Sequence, residues 1–461
     1  MRNGPSGISL SYFLAGNWPY WKPELIEFHP DELLKARLNY LDSSKSLVEH
    51  DLFELTQGLE GRSTNPFSLL LDSLQNPGAD LGNNLPCMLK YKYHPEKEID
   101  HVVLGKGQPG GSWHRMDPNL RTLSLSAWMS LPNFNFDDWE RQYKQHSSEN
   151  VFESHLHDDS DQASDKTSIS DEVKTRALVF DKVSQKPFII GCRKVVLANG
   201  GSDLVNRLGV RGENKSLSWL KYELPLLESA IENVAAEDKS KTKVMIVGNG
   251  LSAADAVIAC RKAGIEVVHV FRSINGGFVG LPQTYFPEYN NVFNMIKSPN
   301  TKHDFYTPIP ESTLKEIKSS NGKHFVTVQN LRNSEVTKTF EVTYCAILIG
   351  SRPDLSLLQN LNCSYAEKNA KDKQKICHCD LSRTNKRLAK GDDGGVGFGE
   401  DPAKPIDCKT NPLAVNKYTN ELLQIPNCYS LGPLVGDNFV RFIPGGALAI
   451  ARNFNLQGLS G

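Results

Sequence analysis

Four apolar residues, Val244, Met245, Ile246 and Val247, run into Gly248-Asn249-Gly250-Leu251-Ser252-Ala253. An alanine-rich segment continues to about Lys262, and after Gly264 a second apolar run extends from Ile265 to Phe271. Short apolar runs bounded by glycine read as strands, and the segment between them has the length of a helix. Strand, glycine turn, helix and strand in that order form a βαβ unit. A parallel sheet follows, because parallel strands need such a crossover.

The turn also specifies a chemistry. Gly248 permits the tight bend, Gly250 lets the backbone approach a pyrophosphate, and Ala253 lets helix and strand pack closely, the pattern G-x-G-x-x-A. The phosphates would sit on the helix N-terminus, where unpaired N–H groups and the helix dipole favour an anion. Alone the motif is weak, but the strand on each side makes Val244 to Arg272 a dinucleotide site. Asp or Glu at the end of the second strand would accept from a ribose 2′-OH, whereas a cation there suits a 2′-phosphate. Arg272 followed by Ser273 occupies that place, so NADPH is expected rather than NADH. A solvated arginine is the plain alternative.

The 461 residues suffice for two or three domains with full cores. A net charge of −1 gives no sign of a nucleic-acid partner or an anionic membrane surface. No apolar run approaches the length of a membrane span, and Met1 to Leu14 lacks the basic region and cleavage site of a signal peptide. Nine cysteines without regular spacing fit reduced thiols and a cytoplasmic location. Cys377, His378 and Cys379 cluster, but metal sites want a two-residue gap and a second half elsewhere, so no metal is expected.

Three stretches interrupt this pattern. Residues 17–95 read as a helical insertion, with apolar residues at helical spacing over Glu24 to Leu41, Asp51 to Leu59 and Pro66 to Leu74. Ser147 to Glu172, which holds His155 and His157, and residues 366–408 read as polar, mobile loops. Strand-like runs at His101 to Leu104, Phe188 to Ile190, Lys194 to Ala198, His324 to Val328 and Tyr344 to Ile349 point to α/β architecture.

A second glycine fingerprint is fragmentary. Asn3-Gly4-Pro5-Ser6-Gly7, with Ile8 to Ala15 after it, matches the end of G-x-G-x-x-G and its helix, but Arg2 stands where the first glycine belongs and no strand precedes it. Three other features raise its weight: Gly110-Gly111-Ser112-Trp113; the strand-like Val195 to Ala198 ending in Asn199-Gly200; and Cys428 to Leu431 leading to Gly436 and Asp437. Beyond these, Gly445 and Gly446 open a small-residue helix. A carboxylate at such a strand end can accept from a ribityl chain, and a helix N-terminus can stabilise charge on a flavin ring. Asp437 as a turn or helix cap is the alternative.

The combination resembles the two-dinucleotide flavoproteins, in particular those similar to flavin-containing monooxygenases. More narrowly, LGPLVGDNFVRFIPGGALA (Leu431 to Ala449), NGPSGISLSYFLAG (Asn3 to Gly16) and the insertion before PGGSW resemble the oxidative stress-induced growth inhibitor family. That resemblance implies FAD contacts from Gly4, Gly7, Gly110, Gly111, Trp113, Gly436 and Asp437, and NADPH contacts from Gly248, Gly250, Ser252, Ala253 and Arg272. It implies an α/β fold of two Rossmann-like domains of the FAD/NAD(P) flavoprotein type, the first lacking its N-terminal strand. The expected division is 1–235 for the first part of the FAD domain, 236–360 for the NADPH domain and 361–461 for the rest of the FAD domain. The implied activity is NADPH-dependent monooxygenase chemistry linked to growth inhibition under oxidative stress.

Two departures qualify it. The strand before Gly4 belongs at the centre of the FAD sheet, so weak FAD retention is expected of this chain and strong retention of a form starting upstream. The F-x-G-x-x-x-H phrase of the flavin monooxygenases is not found around Lys194 to Leu227. A regulator or redox sensor that kept the fold without turnover is the second reading. A dithiol reductase would need paired redox cysteines beside the flavin, and the stretches around Gly7 and Trp113 have none.

Overall fold

The computed structural model describes residues 3–83, 85–116, 122, 124–134, 138–141, 175–181, 185–214, 216–274, 283–284, 286–358 and 395–458. The chain divides into two compact units: Met1–Arg115, Arg121–Gly201 and Pro353–Gly461 form one, and Met116–Leu120 with Ser202–Arg352 the other.

The first unit begins with helix α1 (Pro5–Leu14), started by proline in the first turn and ended by Gly16 at φ +84°. Strands β1 (Asn17–Trp21) and β2 (Leu89–Tyr93) pair antiparallel and bracket the insertion. Between them lie α2 (Pro23–Ile26), α3 (Glu32–Asn39), α4 (Phe53–Thr56) and α5 (Pro66–Gln75), so the helical expectation for 17–95 holds inside a β frame. His101 to Leu104 is not a strand. The segment is anchored to α1 instead, by the Ile99 N–H just before it, which donates to the Leu14 carbonyl, and by a 2.8 Å side-chain bond between Ser11 Oγ and His101 Nε2. Further on, β3 (Thr175–Asp181) pairs antiparallel with β4 (Lys186–Cys192), and β5 (Val195–Leu197) follows.

The second unit is built on a five-stranded parallel sheet. Strands β6 (Leu204–Val205) and β7 (Leu220–Lys221) lead to α6 (Leu224–Glu232), β8 (Lys243–Val247), α7 (Leu251–Lys262), β9 (Glu266–Val270), α8 (Pro287–Lys297) and β10 (Tyr306–Ile309). An antiparallel meander of β11 (Ser312–Ser320), β12 (Lys323–Asn330) and β13 (Thr337–Val342) precedes β14 (Tyr344–Ile347) and β15 (Ser351–Arg352). Sheet order is β10-β9-β8-β14-β7, and β15 pairs with β6. Residues of β8 alternate between two cores: Val244 and Ile246 face the helices, Met245 and Val247 face the meander side. Both faces are covered, which is why these strands read as continuous apolar runs. Because β7 and α6 build this sheet and its helix layer, residues 202–235 lie in the second unit, whereas the expectation grouped them with residues 1–201.

The chain then returns to the first unit, where β16 (Cys428–Ser430) pairs parallel with β5 and α9 (Ile443–Leu456) packs on α1 and α5. One core joins α1, β1, α5 and α9 with Val196, Ala198, Tyr429 and Leu431. Ser147 to Glu172 and the first part of 366–408 lie outside the described residues. The remainder, 395–408, departs from the loop expectation: Phe398, Ile406 and Cys408 are buried with Leu413 and Leu434, and Val396 is buried as well. Its glycines and charges hid apolar anchors spaced too irregularly for a periodic signal.

Candidate functional site

In the second unit the glycine turn stands at the carboxyl end of β8, where open parallel sheets place their ligands. Gly248 has φ +132°, and a Cβ there would lie 2.2 Å from the Leu348 carbonyl oxygen. Its N–H donates to the Val270 carbonyl at 3.1 Å, while Ala253 is fully buried beneath the turn. Gly250 caps α7 in extended conformation without a side-chain hydrogen bond, leaving the first-turn N–H groups of a twelve-residue helix to an incoming anion. Gly250 and Ser252 are exposed, and so is Arg272. Asn249 Nδ2 donates to the Ser273 carbonyl at 2.6 Å, which holds the segment bearing Arg272 against the turn. The five residues expected to meet NADPH therefore converge.

In the first unit the expected residues also meet, though through the tertiary fold. Gly4 caps α1 without a side-chain bond, and a Cβ on Gly111 (φ +64°) would lie 2.8 Å from Gly4 Cα. The Gly110 N–H donates to the Asn3 carbonyl at 2.8 Å, and Asn3 Nδ2 donates to the Gly107 carbonyl at 2.5 Å. Ser6 abuts Gly432, whose φ of +71° starts the turn that ends at Gly436 (φ +92°) and Asp437. Gly7 is buried in the first turn of α1, and Trp113 stands partly exposed on a 3-10 turn, Gly111–Arg115. An uncapped helix start beside two backbone-to-backbone glycine contacts fits a pyrophosphate.

Asp437 does not fit the ribityl role. Only 1% of it is exposed, and its two oxygens accept from Ser63 Oγ at 2.5 Å and Ser68 Oγ at 2.7 Å. Burial pushes its carboxyl up to about 6, against the pull of those hydroxyls. Asn65 Nδ2 donates to the Val435 carbonyl at 3.1 Å, and Lys417 donates to Asn65. Beside this network, buried Arg441 bonds Asp72 and Asp80, and burial drives Asp72 up to about 7 even with Arg441 pulling it down. The glycines opening α9 serve packing: a Cβ on Gly445 would lie 2.2 Å from Ser68 Cα, so the α9 N-terminus is covered by α5.

Sequence reasoning assigned residues 17–95 to an insertion and so missed Ser63, Asn65, Ser68 and Asp72. A signal existed: Ser68 and Asp72 share one face of α5 at i,i+4, among buried Phe67, Leu71 and Leu74. Polar residues on an otherwise buried face need partners. Arg441 was a lone cation in an apolar phrase, with the same implication.

A cavity of about 670 Å³ lies at the amino-terminal end of the second unit's strands, lined by Trp219, His324, Lys243, Lys323 and Tyr344 among others. Trp219 and His324 stack at 4.4 Å, and the two lysines are paired with Glu266 and Glu341. Among the described cysteines, burial pushes Cys260, Cys345 and Cys428 up to about 12, which makes them poor nucleophiles. No helix among the described residues is long and apolar enough to cross a membrane.

The parallel sheet with its glycine turn makes the second unit Rossmann-like, and with the second glycine cluster at α1 the chain is an α/β protein of two units. The chain is 33% identical to human oxidative stress-induced growth inhibitor 2, covering 98% of this chain and 91% of that protein. It is 33% identical to human oxidative stress-induced growth inhibitor 1, with 97% and 93% covered, and 26% identical to a Caenorhabditis elegans homologue over 68% of this chain and 75% of that one. The chain belongs to the oxidative stress-induced growth inhibitor family. No family model matches it. Among solved structures it is similar to the bacillithiol disulfide reductase of Staphylococcus aureus, at 17% identity and a TM-score of 0.45 over 77% of this chain and 90% of that one. The thioredoxin reductase of T. acidophilum is similar at 16% identity and a TM-score of 0.37 over 59% of this chain and 68% of that one.

Proposed function

We propose that this chain is an FAD- and NADPH-dependent oxidoreductase of monooxygenase type, acting in growth restraint under oxidative stress as the names of its relatives suggest. The observation that carries this reading is the uncapped first turn of α7 beneath Gly248 and Gly250, with Arg272 held beside it. Gly248 and Gly250 let the backbone N–H groups meet the pyrophosphate, and the Arg272 guanidinium neutralises the 2′-phosphate. In the first unit, Gly4, Gly7, Gly110 and Gly111 cradle the second pyrophosphate, and Trp113 offers an aromatic face. Asp437 contributes indirectly, fixing the turn from Gly432 to Gly436 through Ser63 and Ser68. Bound, the cofactors supply hydride transfer from nicotinamide to flavin and the reaction of reduced flavin with oxygen. The side chains named here bind, orient and exclude water; none is assigned a catalytic proton transfer.

The test is a pair of dissociation constants. NADPH should bind tighter than NADH; the reverse order would sink the assignment of Arg272. A regulatory or redox-sensing role without turnover is the second reading, favoured by the closure of Asp437 under Ser63 and Ser68. NADPH consumption with added FAD separates the two, since a sensor would bind both nucleotides and consume none.

A further inference from the structure

The first glycine of the nucleotide turn is held at both backbone polar groups by the neighbouring strand. Its N–H donates to Val270, and its carbonyl accepts from the side chain of His269, with Nε2 at 2.7 Å. His269 is fully buried on the helix-covered face of β9, with Ile246 beside it on β8 and Pro308 on β10. A carbonyl can only accept, so the proton is on Nε2 and Nδ1 is an acceptor. The remaining partner fits that tautomer: the Tyr306 hydroxyl stands 2.9 Å from Nδ1. The chain phenol to imidazole to Gly248 carbonyl is thus fully satisfied inside an apolar core.

We propose that His269, oriented by Tyr306, is a positioning residue that sets the Gly248 to Gly250 turn for the nicotinamide-nucleotide pyrophosphate. This inference rests on the nucleotide-site reading given above. The geometry argues for it in three ways. A histidine in the middle of an apolar strand costs stability unless it bonds something, and both of its bonds lie along one line ending at the turn. Gly248 has φ +132°, a region the rest of the chain must hold in place, and the imidazole fixes the peptide that follows. Burial also holds the imidazole down at about 4 while the Tyr306 phenol is raised, so both stay neutral and the donor directions do not change at physiological pH.

The experiment compares the full chain with H269L, H269Q and Y306F. It measures the NADPH dissociation constant, the 31P chemical shifts of bound NADP+, and the thermal midpoint without nucleotide. H269L removes the donor to Gly248 and should raise the dissociation constant roughly ten- to a hundredfold. H269Q keeps an N–H within reach of that carbonyl and should recover most of the affinity. Y306F should act in the same direction as H269L, more weakly, and shift the pyrophosphate 31P signals. If H269L does not fold, H269Q and Y306F carry the test. Variants that bind as the parent does, or lose affinity only in step with their midpoints and without rescue by H269Q, overturn the proposal and leave the nucleotide site standing. A parent chain that binds neither NADPH nor NADH overturns the nucleotide reading itself, and this inference with it.

Discussion

The two glycine turns are held in different ways. Around Gly248 the support is regular: strands on both sides, one helix below and one histidine from the adjacent strand, all but β14 lying between Lys243 and Tyr306. Around Gly4 it comes from four places far apart in the chain: Gly107 to Gly111, Gly432, the pair Ser63 and Ser68, and α9. The first turn is a local device and the second is a tertiary one. A local device tolerates changes elsewhere, whereas a tertiary one couples its ligand to the packing of every segment that reaches it.

The sharpest way to break this comparison is to add the same methyl group to each turn. Gly248→Ala would put Cβ against the Leu348 carbonyl and should abolish NADPH binding by a factor of about 100 or more, with flavin uptake retained. Gly111→Ala, pressing on Gly4, should do the converse; loss of both ligands in either variant, in paired binding titrations, would erase the distinction.

Next in size is the double variant Ser63→Ala with Ser68→Ala, which strips both hydroxyls from buried Asp437. It should destabilise the first unit by about 3 kcal/mol in urea unfolding and leave the second unit's transition in place. A shift below about 0.5 kcal/mol would show that the serines are replaceable by water.

Asp437 also gives a pH signature. Its folded carboxyl is raised to about 6 from the usual 3.8, so between those values the folded state holds the proton more firmly. Stability is therefore fully present below about pH 4 on this account and falls as pH rises through 6, by about 2 to 3 kcal/mol. Asp72, raised to about 7, acts in the same direction. Asp437→Asn should flatten part of that slope in unfolding curves taken from pH 4 to 8, and an unchanged slope would remove Asp437 as its source.

The smallest effect belongs to Arg272→Ala. It should weaken NADPH about tenfold and leave NADH alone, worth about 1.4 kcal/mol. Equal loss for both nucleotides in a competition titration would mean that Arg272 does not read the 2′-phosphate.

What could be read from residues follows the same contrast. The unit from Val244 to Phe271 was legible because period, glycines and helix length all lie within one short window. His269 was passed over, since a single polar residue in an apolar strand says nothing of its partner until Tyr306 is placed beside it. The α1 cluster was legible only in pieces. Neither the contact of Gly4 with Gly111 nor the bonds from Ser63 and Ser68 to Asp437 have a sequence period, because each is made by folding distant segments together. The false strand at His101 to Leu104 has a related cause: its apolar residues look like β structure, but no strand pairs with it, and its tie is a side-chain bond from His101 to Ser11 of α1.

The measurement that tests the central claim most directly is the visible spectrum of the chain with added FAD, followed by NADPH under air, run beside Gly248→Ala. The account predicts a protein-dependent bleaching of the flavin band by NADPH, recovery with oxygen, and neither change in the variant. Flavin that stays oxidised in the parent chain while NADPH binds, or bleaching that survives in Gly248→Ala, would contradict it.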